Sequence, residues 1–565
     1  MDFIQKHKLL FILTVLFIVS GLMILPIYLS GIPNGNDLPQ HYQFALTFKQ
    51  GLQNGILYPS WAATPNFGFG DIGIRFYPPF SYYVLVFFEA ILGNWFYASV
   101  AAFWFWFFLS GIGIYFWSRE WFGENASLLA AVVYIFAPYH VNQIYNAFTY
   151  AEFASASILP FCFLFVTRIC RREGMINTVG LAFCYGLLLL THLPMAVIGS
   201  LALGVYSLAL LEKTNYFKKL LNLTVSVFFG LLASSFYWFR MVSELSFVNH
   251  ATEEFTSGAY DFHKNFVGAF LYLPFAEYDD RTLWFCDLML FITLALFIPS
   301  AILYYRNRQE KQPKLFSVVA LLAFAIFIST PLSLPIWENL EPLQKVQFPW
   351  RWLAVISMSG VIFVAAGYET FISYFQSEKR PVAILTIGLI FAGFVFTVTQ
   401  VIKPASFIPQ DQFNESIAKL ESKDSYPCWW AIWSKSEAFK EKTKVLAKDR
   451  QIEIQDWNLQ EKRFQISAGE AQNLRLALFY YPYWKATVNE KMIELKPAAD
   501  GTILLPIENE KTDVRVWFEE PAKIKNITLL SMFSWFILFL SALIFGFRER
   551  NKKRNLSSQS ALKSL

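Results

Sequence analysis

Apolar runs separated by short polar or basic breaks occupy most of this chain. Twelve of them, at 9–29, 97–117, 126–138, 153–169, 178–193, 196–211, 220–239, 284–305, 315–330, 350–375, 382–402 and 527–547, read as membrane-crossing helices. About 20 apolar residues are needed to cross a hydrocarbon layer of about 30 Å, and several of these runs are short of that. A thirteenth stretch, 78–92, is decided by charge. If it does not cross, Arg119, Arg168/Arg171/Arg172, Lys213/Lys218/Lys219, Arg306/Arg308/Lys311/Lys314, Lys379/Arg380 and the tail 548–554 all share the side of the N-terminal Lys6 and Lys8. If it crosses, they all move to the opposite side, against the excess of Lys and Arg in cytoplasmic loops. It is therefore expected to be a re-entrant or interfacial helix.

From residue 403 the pattern changes. Segments 451–455, 464–467, 474–480, 484–489, 503–506 and 514–518 alternate or are rich in β-formers, with turn residues such as Asp500-Gly501 between them. They predict a small β-sandwich of about 80 residues. The expected organisation is a membrane domain at 1–402, with a first outer loop at 31–77 and a non-crossing helix at 78–92. An outward linker and β-rich domain follow at 403–525, then a last crossing helix at 526–547 and a basic cytoplasmic tail at 548–565.

Composition agrees with this reading. Of 565 residues 55% are hydrophobic and the mean hydropathy is +0.38, which excludes an ordinary soluble protein. The net charge of +5 sits in short loops, so the bilayer is an expected partner and nucleic acid is not. The five cysteines show no CxxC and no zinc-ligand spacing. Cys286 and Cys428 are expected to face outward, and spacing alone does not decide whether they pair. No small-residue cleavage site follows the first apolar run, so it is expected to remain as an uncleaved helix.

With this parity the polar chemistry gathers on the outer side. Asp37 suits a general base, a metal ligand or an organiser of a phosphate site; a cap for a helix starting near Pro39 is the equally weighted alternative. His41 follows one helical turn later on the same side. Asp71, in Gly68-Phe69-Gly70-Asp71, is a second acid or a turn former, and Arg75 holds a phosphate or reaches for the interface. In the second outer loop, Pro138-Tyr139-His140 precedes Glu152, an ionisable group opening an apolar helix, which favours a wet cavity or a partner. Arg351, between Trp350 and Trp352, is unusual on an outer flank, and a lipid phosphate would account for it.

The motifs Asn36-Asp37-Leu38-Pro39-Gln40-His41, Tyr58-Pro59-Ser60-Trp61, Gly68-Phe69-Gly70, Phe76-Tyr77-Pro78-Pro79, Ala151-Glu152, Gln347-Phe348-Pro349-Trp350-Arg351 and Tyr480-Tyr481-Pro482-Tyr483-Trp484 resemble the 6-pyruvoyl-tetrahydropterin synthase-related integral membrane proteins, which are YfhO-like. No pterin-synthase zinc–histidine set accompanies them. That family resembles the GT-C glycosyltransferases, which implies a multi-helix core, a long first outer loop and an acid just after the first helix.

The resemblance implies a bacterial cytoplasmic-membrane enzyme, both termini cytoplasmic, that transfers a sugar from a polyprenyl-phosphate carrier to a glycan, lipid or protein acceptor outside. It assigns catalysis to Asp37, with His41 or Glu152, and substrate contacts to Arg75, Tyr77, His140, Gln347, Arg351 and Asp71. Many GT-C enzymes carry paired acids in the first loop, whereas Leu38 follows Asp37 here. No cofactor is assigned, and a divalent cation is left open. The rival is a non-catalytic glycolipid-binding scaffold or transporter for envelope polymer assembly. A transporter predicts midplane polar groups and internal repeats, and neither stands out.

Overall fold

The computed structural model describes residues 2–172, 174–252, 257–268, 281–307, 315–377 and 380–563. Of the basic positions used above, Arg308, Lys311, Lys314 and Lys379 lie outside the described residues. Among the described residues nine helices are long and apolar enough to cross a membrane, beginning with His7–Ser30, Trp95–Ser118 and Glu124–Tyr145. A bent pair, Phe316–Ser329 with Pro331–Asn339, makes a tenth if the two count as one span. The 86° bend falls at Thr330, where Pro331 cannot continue the ladder of the preceding helix. The expected crossing at 178–193 is a helix of 15 residues, Met175–Leu189, and the one at 382–402 is the helix Arg380–Ile402.

Small residues allow the helices to approach closely, as membrane packing requires. A Cβ on Gly360 would lie 1.8 Å from the Phe297 ring. Buried hydroxyls return their protons to carbonyls one turn back, as Thr167 does to Phe163 O (2.7 Å) and Ser20 to Leu16 O (2.8 Å). Large apolar side chains left uncovered, such as Phe11, Leu22, Phe533 and Phe536, face where lipid would lie.

Charged contacts fix the ends of the bundle. Lys8 lies 3.9 Å from Glu124 and Arg119 3.8 Å from the same residue. Arg168 and Arg172 pair with Glu120 at 2.8 and 2.6 Å. The first helix therefore starts, and Trp95–Ser118 ends, at the same end of the bundle. The segment between them leaves and rejoins the opposite end. It contains the helices Leu38–Gln53 and Phe80–Leu92, the latter stopped by Gly93 in the left-handed region.

Two sheets form the C-terminal domain. One orders Val445–Leu446, Gln472–Phe479, Thr502–Ile507 and Lys496–Pro497; the other orders Ile452–Trp457, Glu461–Ile466, Thr512–Phe518, Trp484–Val488 and Lys491–Ile493. In Thr512–Phe518 burial alternates, with Val514 and Val516 inward and Asp513 and Arg515 outward, the period of a strand with one covered face. All six runs read as strands from the sequence are strands.

The first outer segment is built into this domain. Trp61, Phe69, Ile72 and Phe76 share one apolar cluster with Leu474, Phe479, Tyr481 and Trp484. Phe479 N donates to Phe69 O (2.8 Å). Gly70 has φ +85°, and a Cβ there would lie 2.3 Å from the Trp61 indole, so the glycine is required both by its conformation and by the close approach. Ile32–Pro33 pairs antiparallel with Phe407–Ile408. No disulfide joins Cys286 to Cys428.

Candidate functional site

Asp37 occupies the N-cap position of Leu38–Gln53, yet its side chain makes no capping bond. No hydrogen bond among the described residues engages the carboxylate. Burial pushes its pKa up to about 6, opposed by the Arg351 charge and reinforced by Glu152. The helix-cap alternative is thus set aside by the geometry, and Asp37 stays an open carboxyl on which the Arg351 charge acts.

That guanidinium is held from behind. Arg351 Nε donates to Glu152 Oε2 (3.0 Å) and Nη1 donates to Val346 O (2.5 Å). Nη2 makes no hydrogen bond among the described residues. The plane lies over the rings of Phe348 (4.8 Å) and Trp350 (5.7 Å), which stack on each other at 5.0 Å. Gln347 supplies the turn that brings Val346 O to Arg351: its φ is +67° and Phe348 N donates to Val346 O (2.8 Å). A non-glycine residue in this region is strained, and the strain sits beside the candidate site. No side-chain bond of Gln347 is formed among the described residues.

Glu152 is fully buried, with Oε2 on Arg351 and Oε1 accepting from Tyr139 Oη (2.5 Å) and Gln143 Nε2 (3.1 Å). Its lone pairs are committed to protein donors, so it corrects the expectation of a catalytic acid: Glu152 orients Arg351. Tyr139 and Gln143 do this work unnoticed in the sequence, where only their place in a polar outer loop was visible.

His41 also differs from its expected role. Nδ1 meets Tyr82 Oη at 2.6 Å, and Nε2 accepts from Tyr150 N at 3.2 Å. Burial lowers its pKa to about 3, so the ring is neutral and both nitrogens are used. These two contacts tie the first-loop helix to Tyr82 and Tyr150. Tyr77 lies edge-on to His41 (5.8 Å), and burial with the nearby Asp37 charge pushes its phenol up. Tyr77 is therefore part of the same cluster.

The remaining expected contacts lie apart. Arg75 is fully buried: Nε and Nη2 grip Glu244 (2.7 and 2.8 Å), Nη1 and Nη2 grip Glu520 (2.6 and 3.0 Å), and Nη1 also reaches Ser60 O (2.9 Å). All five donors are spent, so the expected phosphate contact is corrected to a clasp between the first outer segment and the β-domain. Asp71 accepts from Gly73 N and from Ser425 Oγ, the turn role considered for it, and burial raises its pKa to about 6. His140 is buried among Tyr134 (5.1 Å), Phe107 (5.0 Å) and Phe153 (4.8 Å). The candidate site thus brings together Asp37, Glu152, Arg351 and Tyr77, with His41 and Gln347 beside them.

A divalent cation does not fit this donor set. No group of three or more His, Cys, Asp or Glu is placed to hold a metal among the described residues. Asp37 is the single uncommitted carboxylate of this cluster among the described residues, and the Arg351 charge that acts on it repels a second cation.

Residues 74–402, more than half the chain, match the family described as "6-pyruvoyl-tetrahydropterin synthase related domain; membrane protein". The chain belongs to this family. The family's membrane character agrees with the helices above. No curated protein matches the chain.

Among solved structures, ArnT from Cupriavidus metallidurans bound to undecaprenyl phosphate is similar at 14% identity, with 74% of this chain and 77% of that one covered and a TM-score of 0.43. Oligosaccharyltransferase AglB from Archaeoglobus fulgidus, in complex with an inhibitory peptide and a dolichol-phosphate, is similar at 13%, with 75% and 60% covered and a TM-score of 0.41. Arabinofuranosyltransferase AftD from Mycobacteria is similar at 12%, with 70% and 26% covered and a TM-score of 0.44.

Proposed function

We propose that this family member is an inverting membrane glycosyltransferase. It would take a sugar from a polyprenyl-phosphate carrier and pass it to a hydroxyl of an envelope acceptor on the outer face of a bacterial cytoplasmic membrane. The observation that carries the reading is an Asp37 carboxyl with no hydrogen bond among the described residues, its pKa raised to about 6 under the influence of the Arg351 charge, and an Arg351 guanidinium whose Nη2 has no hydrogen bond among the described residues. A base poised near neutrality and a cation for a departing anion are the two groups this chemistry needs.

In this reading Asp37 takes the proton of the acceptor hydroxyl as its oxygen attacks the anomeric carbon. The bond from that carbon to the phosphate oxygen breaks, and its electron pair leaves with the phosphate. Arg351 balances the charge gained there. The phosphate is a good leaving group, so no general acid is required, which suits a site whose second carboxylate is already committed. The shared end of Lys8, Arg119, Arg168 and Arg172 supports cytoplasmic termini by the positive-inside rule, with Asp37 then outside.

The test is Asp37→Asn in cells and in reconstituted vesicles, with membrane levels checked. We expect loss of glycan transfer by roughly 10²–10⁴-fold, the span of general-base catalysis, and accumulation of the lipid-linked sugar. Undiminished transfer would remove Asp37 from the chemistry and favour a scaffold.

A further inference from the structure

Two segments far apart in sequence are stitched together over Asp37. Val248 bridges Ala431 antiparallel. Asn249 N donates to Trp430 O (3.0 Å) and Ile432 N to Phe247 O (3.1 Å). Asn249 Nδ2 adds a bond to Pro427 O (3.2 Å). The strap 425–432 is also anchored to the first outer segment. Ser425 N donates to Asn66 Oδ1 (2.9 Å), the Ser425 hydroxyl to Asp71, and Trp430 Nε1 to Ser425 Oγ (2.9 Å). Asp71 therefore holds the strap in place.

The fixed strap presents aromatic side chains around the open carboxyl. Tyr426 Oη donates to Asn36 O (2.6 Å), immediately before Asp37. The Trp429 ring stacks on His250 (4.7 Å, 25°) and meets Tyr77 at 5.5 Å. Tyr260 approaches Phe348 (6.3 Å), the ring beneath the Arg351 guanidinium. The Asp37 charge acts on both Tyr260 and Tyr426. Their side chains remain 46% and 39% exposed, and the Tyr260 phenol makes no hydrogen bond among the described residues.

We propose that this rim is the acceptor subsite and that the acceptor is a saccharide. The C–H face of a pyranose or furanose ring packs on the exposed Tyr426 ring and against the part of Trp429 that His250 does not cover. Its hydroxyls reach the Tyr260 phenol and, at the reacting position, Asp37. Rings with an apolar body and a polar tip suit a ligand of the same mixed character. A peptide acceptor would instead use a free backbone edge, and the edge at 247–249 and 430–432 is consumed by the pairing of the two segments. The inference rests on the reading of Asp37 as the base that receives the acceptor proton.

The experiment measures binding apart from turnover. Full-length Asp37→Asn protein in detergent micelles is titrated by calorimetry and saturation-transfer NMR with cellotetraose, maltotetraose, mannotetraose and chitotetraose, and with a tetrapeptide. We expect at least one saccharide to bind and the peptide not to bind. Trp429→Leu should weaken the saccharide about tenfold, the scale of one lost aromatic contact, and Tyr260→Phe should weaken it by roughly threefold, one hydroxyl contact. Both variants should keep their affinity for undecaprenyl phosphate within about twofold, which reports an intact fold. The proposal is overturned if none of the four saccharides binds, if the peptide binds instead, or if both variants bind saccharide as the parent does. Transfer by the Asp37→Asn variant is scored separately, so failure of the catalytic reading is distinguishable from failure of the subsite.

Discussion

Glu152 Oε2 lies 3.0 Å from Arg351 Nε, and the two residues open different helices, Tyr150–Arg171 and the segment Pro349–Phe375. Because Tyr139 and Gln143 fill the other oxygen, the carboxylate cannot rotate away, and Nη2 is left as the guanidinium edge free to meet an anion. Glu152→Gln would remove the charge that holds the guanidinium and set an amide N–H against one of the donors that now meet the carboxylate, Arg351 Nε or Gln143 Nε2. We expect transfer to fall by roughly 10²-fold, the scale of a small misplacement of a reacting group, with a raised KM for the carrier. Arg351→Lys should fall by a similar factor, since a point charge cannot hold Glu152, Val346 O and a phosphate together. Steady-state kinetics at matched membrane levels checks both variants.

The pH profile follows from Asp37. As a base it works deprotonated, so log kcat/KM should climb with unit slope to about pH 6 and then level. Stability runs the other way. The folded-state pKa is raised from 3.8 to about 6, so the folded protein binds the extra proton between those values. Its contribution is present at the acid end and is lost as pH rises through about 6. Asp37→Asn should therefore abolish the kinetic limb and raise the thermal midpoint at pH 7.5 more than at pH 4.5. A wild-type profile that is flat from pH 5 to 8 would contradict the assignment.

Arg75 separates a structural role from a ligand role. Its guanidinium is enclosed by Glu244, Glu520, Ser60 O and the rings of Tyr481, Tyr483 and Phe518. Arg75→Ala leaves two carboxylates without their main partner, a loss of about 3–5 kcal/mol for a broken buried pair. We expect a lower thermal midpoint and faster proteolysis at the base of the β-domain. The surviving folded fraction should keep the wild-type KM for the carrier, and a KM raised in proportion to the lost activity would return Arg75 to the phosphate site.

Much of the fold was legible because it depends on local pattern. The β-domain strands show a period of two, as in Thr512–Phe518, and the crossing helices are long apolar runs. Asp37 was legible as a carboxylate placed just after the first helix. The break at Thr330 was legible because the run at 315–330 stops before Pro331, while the 86° turn into Pro331–Asn339 is set by tertiary packing and leaves no local trace. Arg75 was misread because its own neighbours, aromatic residues and prolines, suggest an interface, while both its carboxylates come from distant segments. Glu152 and Arg351 were each suspected, but their pairing is tertiary and leaves no local trace. The same holds for His250 and Trp429, whose stacking needs the strap to be folded first.

Metal-independent transfer is expected from the donor set around Asp37. A divalent cation such as Mg²⁺ asks for several oxygen ligands in near-octahedral array. Around Asp37, Glu152 has given both oxygens to Arg351, Tyr139 and Gln143, and His41 has given both nitrogens to Tyr82 and Tyr150. Arg351 already supplies a positive charge, and a second one beside it would be repelled. Transfer in vesicles should therefore stay within about twofold after EDTA treatment, because the guanidinium alone offsets the phosphate charge. Loss of transfer on chelation, restored by Mg²⁺ or Mn²⁺, would overturn this expectation.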